Sequence, residues 1–108
     1  MSYQQDVPAS KTWSVHVLDL WHYDEDSNFT VTVFATLEKA TEYARRRTRS
    51  SFEEARATTL ELSRLHWIQW GEDCSVVGGN YSGYSELQFF FDNPATPEEL
   101  DFVALEPK

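Results

Sequence analysis

Three histidines and a single cysteine are the side chains best able to bind a metal ion or act as a nucleophile in this 108-residue chain. None has the CxxC or HxxxH spacing of a ligand set. His16 and His22 share a face on a regular strand but would lie roughly 20 Å apart, too far to hold one ion. Asp24, Glu25 and Asp26 follow His22 directly, and this group reads as a solvated turn rather than a metal site. Cys74 could work with His66 as a thiolate–imidazole pair only if the fold joined them. Glu72 and Asp73 beside it oppose a thiolate, so a buried, neutral thiol is expected. Gly78-Gly79-Asn80-Tyr81-Ser82-Gly83-Tyr84-Ser85 has the glycine spacing of a phosphate loop, yet Tyr84 stands where the phosphate-contacting lysine is required, and the match fails. No cofactor is expected.

Binding surfaces are better supported than chemistry. The same segment combines Tyr, Ser, Gly and Asn, a mixture that forms an ordinary hairpin turn with packed tyrosines, or a binding loop if Tyr81 and Tyr84 are exposed. Residues 67 to 91 contain Trp67, Trp70, Tyr81, Tyr84, Phe89, Phe90 and Phe91. Rings of this number fill a core made from few, large side chains, or leave some as a contact patch for a partner or a second subunit. The basic run Arg45 to Arg49 lies near Glu42 and Glu53 at helical spacing, so it reads as a solvated helix end rather than a phosphate or acidic-partner site.

Composition narrows the partners. The chain carries 18 acidic and 9 basic residues, a net charge of −9. Residues 1 to 35 hold five acids and one base, residues 36 to 71 five acids and seven bases, and residues 72 to 108 eight acids and one base. This field disfavours nucleic acid and anionic lipid and favours a basic protein surface, or a second copy of a chain that bears both signs. The first residues lack a cationic segment followed by an apolar run, and no stretch approaches ~18 consecutive apolar residues, so neither export nor membrane spanning is expected. A lone cysteine fits a reducing compartment, and the expected location is cytoplasmic. In that setting the Asn28-Phe29-Thr30 and Asn80-Tyr81-Ser82 triplets carry no glycosylation meaning.

The elements that position these residues can be read from periodicity. Residues 1–12 form a polar arm, and residues 13–108 one domain. WSVHVLDLWHY and FTVTVFA flank DEDSN as a β-hairpin. Setting Tyr23 opposite Asn28 pairs Leu18 with Val33 and Leu20 with Val31 on one apolar face, with Val15 and Val17 on the other, which implies a bulge or a sheet covered on both sides. Thr36 caps a helix from 37 to 48. Ser51-Phe52-Glu53-Glu54 matches a capping box for a second helix burying Phe52, Ala55, Thr59, Leu62, Leu65 and His66, ended by Gly71 in a left-handed turn. RLHWIQW within residues 58–70 also fits a strand. CSVV is a short strand, and YSELQFFF reads as a buried one. Thr96-Pro97-Glu98-Glu99 starts a short helical turn.

The order β-β-α-α-β-β-α predicts an α+β fold, an antiparallel sheet with two helices packed on one face. The expected function is non-enzymatic binding of the inhibitor, immunity or adaptor kind. Trp21, Asp24, Glu25, Asp26, Tyr81 and Tyr84 would then present an acidic, aromatic surface to a basic partner. The alternatives are a small enzyme or ligand-binding domain pairing His22 or His66 with a carboxylate, and a homodimer whose aromatic patch is only an interface.

Overall fold

A computed structural model describes residues 12–22 and 29–107. The N-terminal arm and the hairpin turn with its Tyr23–Asn28 pair lie outside the described residues, apart from Thr12. The fold is α+β. Strands β1 (Trp13–Asp19), β2 (Phe29–Phe34) and β3 (Glu72–Val77) form an antiparallel sheet in the order β2-β1-β3.

The hairpin exists, but its register is shifted and its buried face is inverted. Leu18 pairs with Phe29, and Ser14 rather than Leu18 pairs with Val33. Val15 and Val17 point into the core with Phe34, Cys74 and Val76, while Val31 and Val33 are exposed on the far side. The central strand decides this. In β1, Trp13, Val15 and Val17 form the more apolar face, matched in β3 by Cys74 and Val76, so pairing carries the Thr30, Thr32 and Phe34 side of β2 inward. Among the described residues one face of the sheet is covered, by α1, and β1 and β2 pair without a bulge.

Helix α1 runs unbroken from Leu37 to Ala55, capped by Thr36, whose hydroxyl accepts from the Lys39 amide. It therefore does not stop at residue 48. Ser51 lies mid-helix rather than in a capping box, because the segment's core contacts come from Thr48 and Phe52 on one continuous face. The break falls later. Arg56 leaves the helical conformation, and Thr59 caps α2 (Leu60–Trp70) by accepting from Leu62 N. RLHWIQW is therefore helical. This interruption resets the phase of α2: Ser63 and Trp67 are buried, and Leu62, Leu65 and His66 are exposed, against the sequence expectation. Gly71 does end α2, though in extended rather than left-handed conformation (φ −90°, ψ −167°). Glycine is needed there because a Cβ would collide with the Trp67 indole.

Two hydroxyls of α1 close one edge of the sheet. Thr48 Oγ1 accepts from Cys74 N, Ser51 Oγ accepts from Glu72 N and from Trp67 Nε1, and Val76 N donates to Tyr81 O. Each outward amide of β3 in this stretch thus has a partner, as buried backbone donors require. Gly78, at φ 90°, turns the chain in a conformation that favours glycine.

YSELQFFF is helical, not a strand. A 3-10 turn at Gly83–Glu86 leads into α3 (Leu87–Asp92). An apolar run satisfies either period; here the three-residue spacing of Leu87 and Phe90 delivers both into a second core with Phe52 and Trp67. Arginines of α1 and its C-cap Arg56 hold the end of α3 and the chain beyond it. Arg56 donates to the Phe90 and Phe91 carbonyls, Arg49 to Asn93 O and Arg46 to Asp101 O. Within the basic run the expected Arg46–Glu42 pair forms at 2.8 Å, but Arg45 and Arg47 bond the distant Glu86 and Glu72, so the run is an internal clamp rather than a solvated helix end. The Thr96–Glu99 start also forms, with Glu99 Oε1 accepting from Thr96 N at 2.8 Å before the 3-10 turn Glu98–Leu100.

Ser51→Ala should remove the acceptor shared by Trp67 and Glu72 and destabilise the fold by about 1–3 kcal/mol in urea unfolding, with two donors left unpaired. Glu53 is held below the usual carboxylate range by its hydrogen bond from Arg56, opposed by partial burial and helped by the Ala95 amide. A depressed acid stabilises the fold above its unfolded pKa, and that contribution is lost as pH falls through the folded value. Glu53→Gln should therefore be less stable than the parent at pH 7, with the difference shrinking below about pH 4 as glutamates protonate.

Candidate functional site

The site begins where β1 and α2 end side by side. Leu20 N donates to Gly71 O at 2.9 Å, tying the exit of β1 to the end of α2. The chain then enters a 3-10 turn, Leu20–His22, in which Asp19 Oδ1 accepts from Trp21 N at 3.0 Å. These two bonds bring Trp21 against Trp70, the last residue of α2. Their rings stack with centroids 4.3 Å apart and planes 17° apart. Both remain largely in solvent, at 55% and 59% exposure. Offset-stacked indoles gain from each other, but exposure on this scale leaves apolar surface uncovered.

The stack walls a cleft of about 510 Å³, lined also by Asp19, Arg47, Ser50, Ser51, Glu54, Glu72 and Phe102. A second cleft of about 340 Å³ adjoins it, sharing Ser51, Glu54 and Trp70 and adding Ala55, His66 and Gly71. Three carboxylates face one guanidinium in the larger cleft. Arg47 is bound to Glu72 through Nε at 2.9 Å and Nη2 at 3.2 Å, and donates to Tyr43 Oη at 2.7 Å. The Glu72 hydrogen bond raises its pKa further above the ordinary arginine range, keeping it charged. Glu54 is exposed and makes no ion pair among the described residues. The cleft thus offers aromatic faces, hydroxyls and an available carboxylate to a cationic group.

The sequence candidates divide. Trp21 is central to the cleft. Asp24, Glu25 and Asp26 lie outside the described residues. Tyr84 is exposed and leans on Trp67 with centroids 6.0 Å apart. Tyr81 instead packs against the core beneath Arg45, and burial pushes its phenol pKa up. Its hydroxyl is buried without a hydrogen-bond partner among the described residues. His66 stands at the rim of the smaller cleft and makes no hydrogen bond to a carboxylate among the described residues. No group of three or more His, Cys, Asp or Glu among the described residues could hold a metal. Among the described residues no helix is long and apolar enough to cross a membrane.

Sequence reasoning missed Trp70, Glu54 and Asp19 as partners of Trp21. The one local signal was a tryptophan directly before the helix-ending Gly71; the rest depends on how β1 meets α2. Compared with family models, curated proteins and solved structures, the chain matches none.

Cys74 is fully buried, and desolvation pushes its thiol up to about 12. The thiolate is the reactive species. Iodoacetamide at pH 8 should leave native protein unmodified over a period in which urea-unfolded protein is alkylated completely, as read by intact mass.

Proposed function

We propose that the protein is a non-enzymatic binding module of the inhibitor, immunity or adaptor kind. Its target is a basic protein surface, and the Trp21–Trp70 cleft is the point of engagement. The observation that carries this reading is the pair of stacked, exposed indoles beside a cleft where carboxylates outnumber guanidinium groups. An arginine or lysine side chain from the partner would lie against an indole face and meet Glu54. Such contacts are worth about 0.5–2 kcal/mol when partly desolvated. The surrounding net charge of −9 steers a cationic surface toward it. Tyr84 extends the same character to a separate exposed ring.

A tri-arginine peptide, titrated while tryptophan emission and amide shifts are followed, should bind with shifts centred on Trp21, Trp70 and Glu54. A tri-glutamate peptide should not bind. Trp70→Ala should weaken the basic peptide by about 1–2 kcal/mol, some five- to thirtyfold, and Glu54→Lys should weaken it in a salt-dependent way. Equal response to both peptides, or shifts spread away from the cleft, would remove the basis for this function.

A further inference from the structure

We infer that β2 is a self-pairing edge: two copies of the chain join through their β2 strands into one continuous antiparallel sheet. The argument starts from the backbone of β3, whose Glu72, Cys74 and Val76 amides are taken by Ser51, Thr48 and Tyr81. Backbone groups alternate in direction along a strand. Asp73, Ser75 and Val77 therefore face β1 and bond to Leu18, His16 and Ser14. Trp13, Val15 and Val17 are left to face β2, where they engage Phe34, Thr32 and Thr30. Val31 and Val33 consequently aim their N–H and C=O groups at the open edge. Among the described residues nothing takes them.

The two edges of the sheet differ in kind. One is closed by hydroxyls and a turn; the other has no backbone partner among the described residues. An open edge without a charge or a proline is a template for another strand, and Phe29–Phe34 (FTVTVF) contains neither.

Three features select a second copy as the occupant. First, a strand without charge lets two chains of net charge −9 meet with no carboxylate of the strand set against its like, and it offers a basic partner nothing to pair with. Second, one open edge per chain closes as a twofold dimer, whereas two would propagate into a filament. Third, outward-facing residues can pair only with outward-facing residues, so both sets of helices fall on one side of the joined sheet. The valines, 48% and 46% exposed, then meet across the axis on the other side. Setting Val31 opposite its own counterpart engages all the outward backbone groups from Phe29 to Val33. Helix α1 packs mainly against β1 and β3, and Thr30 is exposed on the helix side of β2, which leaves clearance for the second chain. Pairing of one short strand buries less than the roughly 1,200 Å² of a standard interface, so the dimer should dissociate on dilution.

Sedimentation velocity on the full chain, from about 1 µM to about 500 µM, should show the mass rising from one chain toward two, as a micromolar equilibrium requires. Exchange of the Val31 and Val33 amides should slow over the same range. Val33→Pro deletes an N–H that β1 does not use, and Val31→Lys sets like charges face to face at the axis. Each should hold the chain at monomer mass throughout, with native circular dichroism; if the proline variant unfolds, the lysine variant decides. A parent that stays monomeric at every concentration, including one whose β2 amides are protected only by an added foreign peptide, overturns the inference. So does a dimer that both variants leave intact.

Discussion

The structure depends on guanidinium groups of α1 and of its C-cap Arg56 satisfying carbonyls at the end of α3 and in the C-terminal segment beyond it, which has little regular structure. Arg46, Arg49 and Arg56 reach Asp101, Asn93 and the last carbonyls of α3. Hydrogen bonds to a charged donor contribute about 1.5–3 kcal/mol each, more than neutral ones. Aromatic faces complete each socket: Arg56 lies over Phe52 and Phe91, and Arg49 over Phe89 and Phe90. Arg49 is almost fully buried, and its Nε has no hydrogen-bond partner among the described residues, so its net effect rests on these ring contacts, on Asn93 and on the Glu99 carboxylate 3.8 Å away. The clamp lets a segment after residue 92 be ordered with only two short 3-10 turns.

The same helix joins the two cores. Toward its N-terminal half Ala40, Tyr43 and Ala44 pack on the sheet with Val15, Val17 and Phe34, and farther along Phe52 meets Trp67, Leu87 and Phe90. Ser51 and Thr48 stand between these clusters and bond to β3. Gly83 approaches Thr48 so closely that a Cβ would collide with it, which lets the turn before α3 lie against the helix. Arg47 sits at this junction, bridging Tyr43 and Glu72 and lying 5.1 Å from the Phe102 ring centroid. The larger cleft is therefore walled by parts of the molecule that are distant in sequence but rigidly cross-linked, a sound basis for a binding surface.

Both proposed surfaces arise from the sheet's asymmetry. Covering one face of β1 sends Trp13, Val15 and Val17 inward and leaves Val31 and Val33 outside. Hydroxyls close one edge, and the opposite edge has no backbone partner among the described residues. The exit of β1 beside Gly71 then places Trp21 on Trp70. Tyr84 and Phe89 remain exposed elsewhere on the surface, so the abundance of rings is shared between core and exterior.

Local pattern was enough to determine the α+β class, the first hairpin, the Thr36 cap, the Thr96–Glu99 start and the helix-ending role of Gly71, because each depends on side chains within a few residues of the backbone they satisfy. Trp21 could be singled out from the sequence as a ring beside an acidic turn, but its stacking on Trp70 could not. Tertiary structure alone decided the register, the buried face of β2, the phase of α2 and the helical state of Leu87–Asp92. In each case the local apolar pattern admitted two arrangements, and the choice fell to a neighbour: β1 for the strands, Trp67 and Phe52 for the helices. The arginines show the same limit most plainly. Helical spacing placed Arg46 beside Glu42, and that pair forms, but Arg46, Arg49 and Arg56 also donate to carbonyls 34 to 55 residues away, and no local pattern encodes which distant backbone groups will be left without a donor.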